Sequence, residues 1–208
     1  MVIIEAIKLL SLILVLSVSI ANSNAQTSDD MRKAFKDSYE FEAKQDFYNS
    51  IDALKKLNNN DYETNLRLGW LHYLNQQYKE SMGYYQSCID SKPGSIEAKL
   101  GYTYPAAALN DWDNVAKQYN DILSIDPNNT QASYKLGMIY YYKPDYQTAL
   151  KYFVKVSELY PFDFGSILMI GWSNLKLGNV SAAKTYFNKS LLIKPDDPSA
   201  LEGLGLLR

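Results

Sequence analysis

Apolar side chains return along this sequence at two scales. Near the start they form one uninterrupted run, Leu9 to Ile20. Beyond it the large ones recur in columns: Phe47, Tyr78, Trp112, Tyr146 and Val180 make one, and Leu54, Tyr85, Tyr119, Phe153 and Phe187 another. Small residues and prolines keep the same beat. Pro93, Pro127, Pro161 and Pro195 are 34 residues apart, as are Gly137, Gly171 and Gly205, and Ala149 and Ala183. Independent columns sharing one period predict a repeated supersecondary unit. Each residue type would have a use where two helices pack together. Glycine and alanine let the two approach closely, the aromatic fills the space beside them, and proline ends the second helix because its ring cannot continue it.

Setting the glycine eighth and the proline thirty-second divides the chain into units at 62–95, 96–129, 130–163 and 164–197. A divergent unit, three residues short, precedes them at 31–61, behind a short linker at 26–30. The helix signature Asp197-Pro198 opens a partial unit or capping helix at 198–208. In 96–129 the close-approach positions hold Thr103 and Val115 in place of Gly and Ala, and Gly101 and Pro105 fall inside the first helix. A proline there removes one hydrogen bond and crowds the carbonyl four residues back, so a kinked or broken helix is expected.

"KLGMIYYYKPDYQTALKYFVKVSELYP" (135–161) and "IGWSNLKLGNVSAAKTYFNKSLLIKP" (170–195) resemble the tetratricopeptide repeat family, and the likeness extends over roughly residues 31–208. The resemblance implies an all-α fold, a right-handed superhelical solenoid of antiparallel helix pairs whose inner surface is lined by the first helices. The positions that line it in the family are held here by Trp70, Tyr73, Tyr104, Ala107, Tyr134, Met138, Tyr141 and Trp172. Family members that grip a terminal carboxylate use basic residues on this face. Here Arg67 and Lys135 hold one of those places but the fifth and ninth positions of the full units carry no basic residue, and an apolar or aromatic segment is the expected ligand. Ala107, between the larger residues of neighbouring units, predicts a dent walled by Tyr73, Tyr104 and Tyr141. Such positions also pack between adjacent first helices, which gives Trp70, Tyr134 and Trp172 a second reading as intramolecular wedges.

Charge narrows the partners. The formal net charge is −2, and removing residues 1–25 takes away Glu5 and Lys8 together and leaves it unchanged. Neither a basic groove for nucleic acid nor a polybasic membrane patch is implied. The run Leu9–Ile20 is shorter than the roughly 18–20 residues of a spanning helix, and Ser23-Asn24-Ala25 behind it suits a signal peptidase. Residues 1–25 therefore read as a signal peptide, with export to a periplasm or cell envelope, or secretion, and no membrane span after cleavage.

Candidate chemistry is sparse. His72 and Cys88 are the only residues of their kinds and both fall at core-facing places in the repeat. No phosphate loop, metal-spaced cluster or nucleophile elbow accompanies them. No catalytic residue, metal or cofactor is expected. The reading is a non-catalytic scaffold that binds another protein or a peptide segment. Two rivals share its features: a carbohydrate-binding module, since aromatic rows also stack on sugars, and a self-assembling homo-oligomer joined through Leu201, Leu204, Leu206 and Leu207.

Overall fold

The computed structural model describes residues 28–207, and the expected signal peptide at 1–25 lies outside them. Among the described residues every regular element is a helix. Contacts divide the chain into two units, one ending at Ser91 and the other beginning at Lys92. The first holds α1 (28–43), α2 (Phe47–Lys55), α3 (Tyr62–Leu74) and α4 (Tyr78–Ser91). The second holds α5 (Ile96–Ala108), α6 (Trp112–Ile125), α7 (Thr130–Tyr142), α8 (Tyr146–Leu159), α9 (Phe164–Lys176), α10 (Val180–Ile193) and α11 (Pro198–Gly205).

Short polar residues start these helices. Asp46, Ser95, Asp111, Asn129, Asp145, Asp163 and Asp197 each accept a hydrogen bond from the backbone amide three residues on, satisfying one of the donors a helix start leaves open. The turn inside each pair needs one residue at positive φ. Gln45, Gln76 and Asn110 adopt 59° and Gly178 78°, and Pro144 is held at 27°, against the preference of its ring.

The repeat's central contact is tight. A Cβ built on Gly69 would lie 3.0 Å from the Tyr85 ring, on Gly137 2.6 Å from Phe153, and on Gly171 2.8 Å from Phe187. Opposite the glycines stand Ser81, Ala149 and Ala183, all fully buried. Where serine takes the alanine's place it ties the helices together: Ser81 Oγ donates to the Gly69 carbonyl at 2.6 Å, and Ser50 Oγ to the Ser38 carbonyl at 2.7 Å.

The pair α5–α6 departs from the others as its sequence suggests, with one correction. Thr103 and Val115 occupy the close-approach positions and are buried, and the Tyr119 hydroxyl donates to Thr103 Oγ1 at 3.4 Å. Of the kink or break expected at Gly101 and Pro105, a break is absent: α5 runs uninterrupted to Ala108. Pro105 lies in the last turn, so its ring displaces only one intrahelical bond, and Ala98, Tyr102 and Ala106 bury the face around it. A second correction concerns 28–30, expected as linker but part of α1. Asp29 and Asp30 favour a helix start, and Asp29 pairs with Arg32 one turn on.

Filling the glycine site tests the central contact. Gly137→Ala should lose about 1–3 kcal/mol, read as a lower urea midpoint, because the Phe153 ring must move or the helices must part. Thr103→Ser keeps a Cβ where one is already accommodated and should change far less.

Candidate functional site

In each first helix the inner-face positions follow a spacing of four and then three residues: Leu66, Trp70, Tyr73 on α3; Leu100, Tyr104, Ala107 on α5; Tyr134, Met138, Tyr141 on α7; Leu168, Trp172, Leu175 on α9. That spacing puts each trio in one stripe. All are half-buried except Tyr104, which is 47% exposed. Apolar side chains are thus left partly in water along one face of each helix.

Neighbours distinguish the residues. In the first unit the Trp70 indole N–H donates to Glu42 Oε1 on α1 at 2.9 Å. Glu42 Oε2 pairs with Arg67, whose guanidinium lies 3.9 Å from the centre of the Tyr39 ring. A mostly buried arginine is thereby neutralised by one carboxylate and faced by one aromatic ring. Tyr73 sits against Trp70 at 5.6 Å and Tyr78 at 6.0 Å between ring centres. Trp70 is a brace between α1 and α3.

The second unit has two more braces. Tyr134 lies edge-on to Phe153 at 5.6 Å, and a Cβ added to Gly165 would come within 3.2 Å of its ring, which places it between α8 and the start of α9. Trp172 meets Phe187 edge-on at 5.2 Å and donates its indole N–H to Ser199 Oγ on α11 at 2.9 Å. For Trp70, Tyr134 and Trp172 the wedge reading therefore has direct geometric support.

Met138 and Tyr141 pack beside the core of Ala149, Phe153 and Ile170. Tyr141 lies 5.3 Å from Tyr146 and 5.8 Å from Tyr142, and Tyr142, not anticipated from the repeat positions, is 75% exposed. Burial, with neighbouring tyrosines adding to it, pushes the Tyr141 hydroxyl above its ordinary range; burial and then Asp163 do the same for Tyr134. Both phenols stay neutral at physiological pH, and the α7 stripe offers apolar rings and neutral hydroxyls. Of the expected dent, Ala107 is half-buried and Tyr104 stands exposed beside it in sequence; Tyr73 belongs to the first unit.

The final leucines divide in two. Leu204 and Leu207 pack against Ala183, Phe187 and Ala200, while Leu201 and Leu206 are 48% and 62% exposed. Leu204 and Leu207 are half-buried, because α11 turns them onto the last helix pair.

His72 and Cys88 are core residues. Cys88 is fully buried, with Sγ 3.5 Å from the Tyr62 carbonyl. His72 stacks on Tyr84 at 5.0 Å and its Nδ1 meets Gln77 Oε1 at 2.6 Å. Among the described residues no cluster of histidine, cysteine and carboxylate side chains is placed to hold a metal ion, and no helix is long and apolar enough to cross a membrane.

Comparison with known proteins places these stripes in context. Family models described as Tetratricopeptide repeat match residues 63–95, 131–162 and 165–197. A tetratricopeptide repeat protein from Parabacteroides merdae superposes with a TM-score of 0.75 over 86% of this chain and 72% of its own, at 21% identity. YrrB, described as a TPR protein with an unusual peptide-binding site, gives 0.69 over 88% of this chain and 95% of its own, at 14% identity. MamA from Desulfovibrio magneticus gives 0.69 over 82% and 98%, also at 14% identity. Among curated proteins, the RNA polymerase-associated protein CTR9 of Caenorhabditis elegans is 29% identical over 101 residues, which span 48% of this chain and 9% of that protein.

Two variants test the braces. Trp172→Phe should cost about 1 kcal/mol through the lost bond to Ser199, and Trp172→Ala about 3 kcal/mol, whereas Tyr104→Ala should stay within about 1 kcal/mol; urea unfolding reads all three. A further test uses pH. Burial holds the His72 pKa below its ordinary value of 6.5, so the unfolded chain takes up a proton first. Stability from this residue is complete above that value and falls as the pH drops through it. The urea midpoint should decline on acidification below that value, and His72→Asn should flatten this part of the curve.

Proposed function

Because this chain is a tetratricopeptide repeat protein, we propose that it is a non-catalytic scaffold that binds an extended or helical segment of another protein along its first-helix face. The observation that carries the reading is the apolar stripe left partly in water on α7, where Met138 presents its thioether chain and Tyr141 and the exposed Tyr142 their rings and hydroxyls, with no charged residue in the trio. Partly exposed aromatics of this kind contribute large contact area at low entropic cost when a partner covers them. Tyr104 and Ala107 extend the surface on α5, and Tyr134 and Trp172 hold the helices of the second unit in place behind it.

The protein is exported in this reading. Its support is the leader, an apolar run too short to span a membrane followed by a small-residue cleavage site. A periplasmic, envelope or extracellular partner follows.

Affinity capture from an extract of the source organism tests the binding face. The wild-type protein should enrich a partner that a Tyr104→Ala, Tyr141→Ala, Tyr142→Ala variant of unchanged helicity loses by about tenfold. Equal enrichment by both would move binding off this face. Sequencing the amino terminus of the recovered protein reads the export proposal separately: a start near Gln26 supports it, and a start at Met1 sinks it.

A further inference from the structure

Within the second unit each new helix pair lies against the second helix of the pair before. Ile170 of α9 joins Ala149 and Phe153 of α8 in one buried cluster, and Tyr186 of α10 packs against it. One pair earlier, Tyr152 of α8 reaches Asn120 of α6, hydroxyl to side-chain carbonyl, at 3.4 Å. Two places in the repeat make this contact, the residue just before the close-approach position in the first helix and the residue three beyond it in the second.

In α1 and α2 those places hold Asp37 and Ala53. A charged group and a methyl group replace an isoleucine and a tyrosine, and between the two helices lies a cleft of about 740 Å³. Its floor includes Ala34, Phe41, Ala53 and Leu57. Around it stand four carboxylates, Asp30, Asp37, Asp52 and Asp61, against two lysines, Lys33 and Lys56. Lys56 is already paired with Asp52 at 2.7 Å, and Asp61 accepts a hydrogen bond from Asn59. The side chains of Asp30 and Asp37 make no ion pair within contact distance among the described residues, and the charge of Asp37 reaches Lys56 only from beyond it, behind that of Asp52.

We propose that this cleft is a second docking site, which takes a helix of a partner protein carrying apolar side chains flanked by lysine or arginine. The register supplies the shape: on the α7–α8 and α9–α10 pairs the same place is filled by a helix of the pair before. The charge supplies the selectivity. An ordinary apolar helix would bury Asp37 unpaired, which is unfavourable, whereas a cation beside it restores the pair. The site is separate from the first-helix face and does not depend on it.

The test uses the purified full chain and two fluorescent, end-blocked peptides of about 15 residues, long enough to form helix once bound. One has leucines at helical spacing flanked by lysines, and its twin has glutamate for every lysine. Fluorescence anisotropy should show the lysine peptide binding at least about tenfold more tightly than its twin, with the advantage shrinking at about 0.3 M salt. Asp37→Asn, which keeps the shape, should remove most of that preference. Ala53→Tyr, which fills the cleft with the side chain that α4, α8 and α10 carry at this place, should abolish binding with an unchanged circular dichroism spectrum. Tyr104→Ala with Tyr141→Ala should leave it intact. Equal binding of the twins, no binding, or binding indifferent to Ala53→Tyr overturns the proposal. So does a dimer mass in light scattering that Ala53→Tyr reduces to a monomer, which would give the cleft to a second copy, or binding seen only after residues 1–25 are removed, which would give it to the chain's own leader.

Discussion

Two helices that must lie within a side-chain diameter of each other set the terms for this structure. With glycine on one helix and a ring on the other, the backbone of Gly137 meets Phe153 at a distance where a single methyl group would overlap it. Everything repeated about the chain follows from protecting that contact. The turn inside each pair has to be short, the small residue opposite has to stay small, and the ring has to be fixed by what lies on its far side. Phe187 shows the last requirement, since a Cβ on Gly203 of α11 would come within 2.3 Å of it, closer than the 2.8 Å from Gly171. A ring gripped by glycines from both sides joins successive helices into one packed body.

The places where this contact is altered show how much latitude it has. Serine can replace alanine because its hydroxyl finds the carbonyl of the facing helix, as Ser81 does on Gly69, so the polar atom is satisfied at the point of closest approach. Threonine can replace glycine only if the opposing aromatic gives way, and Tyr119 differs from Phe153 in having a hydroxyl that recovers part of the loss by bonding to Thr103. The α5–α6 pair therefore substitutes a polar link for a steric fit. Its proline is tolerated for a related reason: near the end of the helix it removes one bond while the buried face keeps its packing.

Most of this was legible in the sequence because it is periodic. Columns at a fixed spacing revealed the pairs, their closing prolines and the burial of His72 and Cys88, since a residue's place in the repeat decides which way it faces. What could not be read was the difference between a brace and a binding residue. Trp70, Tyr134, Met138 and Trp172 share a pattern, and only the partners separate them: Glu42 for one indole, Ser199 for another, Gly165 for the Tyr134 ring. Those partners lie 28 and 27 residues away for the two tryptophans, on a neighbouring pair, and carry no repeated signature. The helical start at 28–30 was missed for the opposite reason, as it precedes the first periodic residue and rests on local charge alone.

A repeat whose inner-face aromatics are partly committed to bracing has less freedom to evolve a ligand site there than its surface suggests. Changing Trp172 or Tyr134 alters the spacing of helices before it alters any partner contact. Residues with lighter structural duties are where specificity can move: Tyr104 and Tyr142, both largely in water, and the small Ala107. The same logic reaches α1 and α2, where Asp37 and Ala53 stand at places that bind one pair to the next elsewhere in the chain. With no earlier pair among the described residues to satisfy, those positions are released from the steric rule and can carry charge. A position outside that steric rule can change its chemistry without cost to the packing behind it, and at Asp37 the change has gone toward a carboxylate.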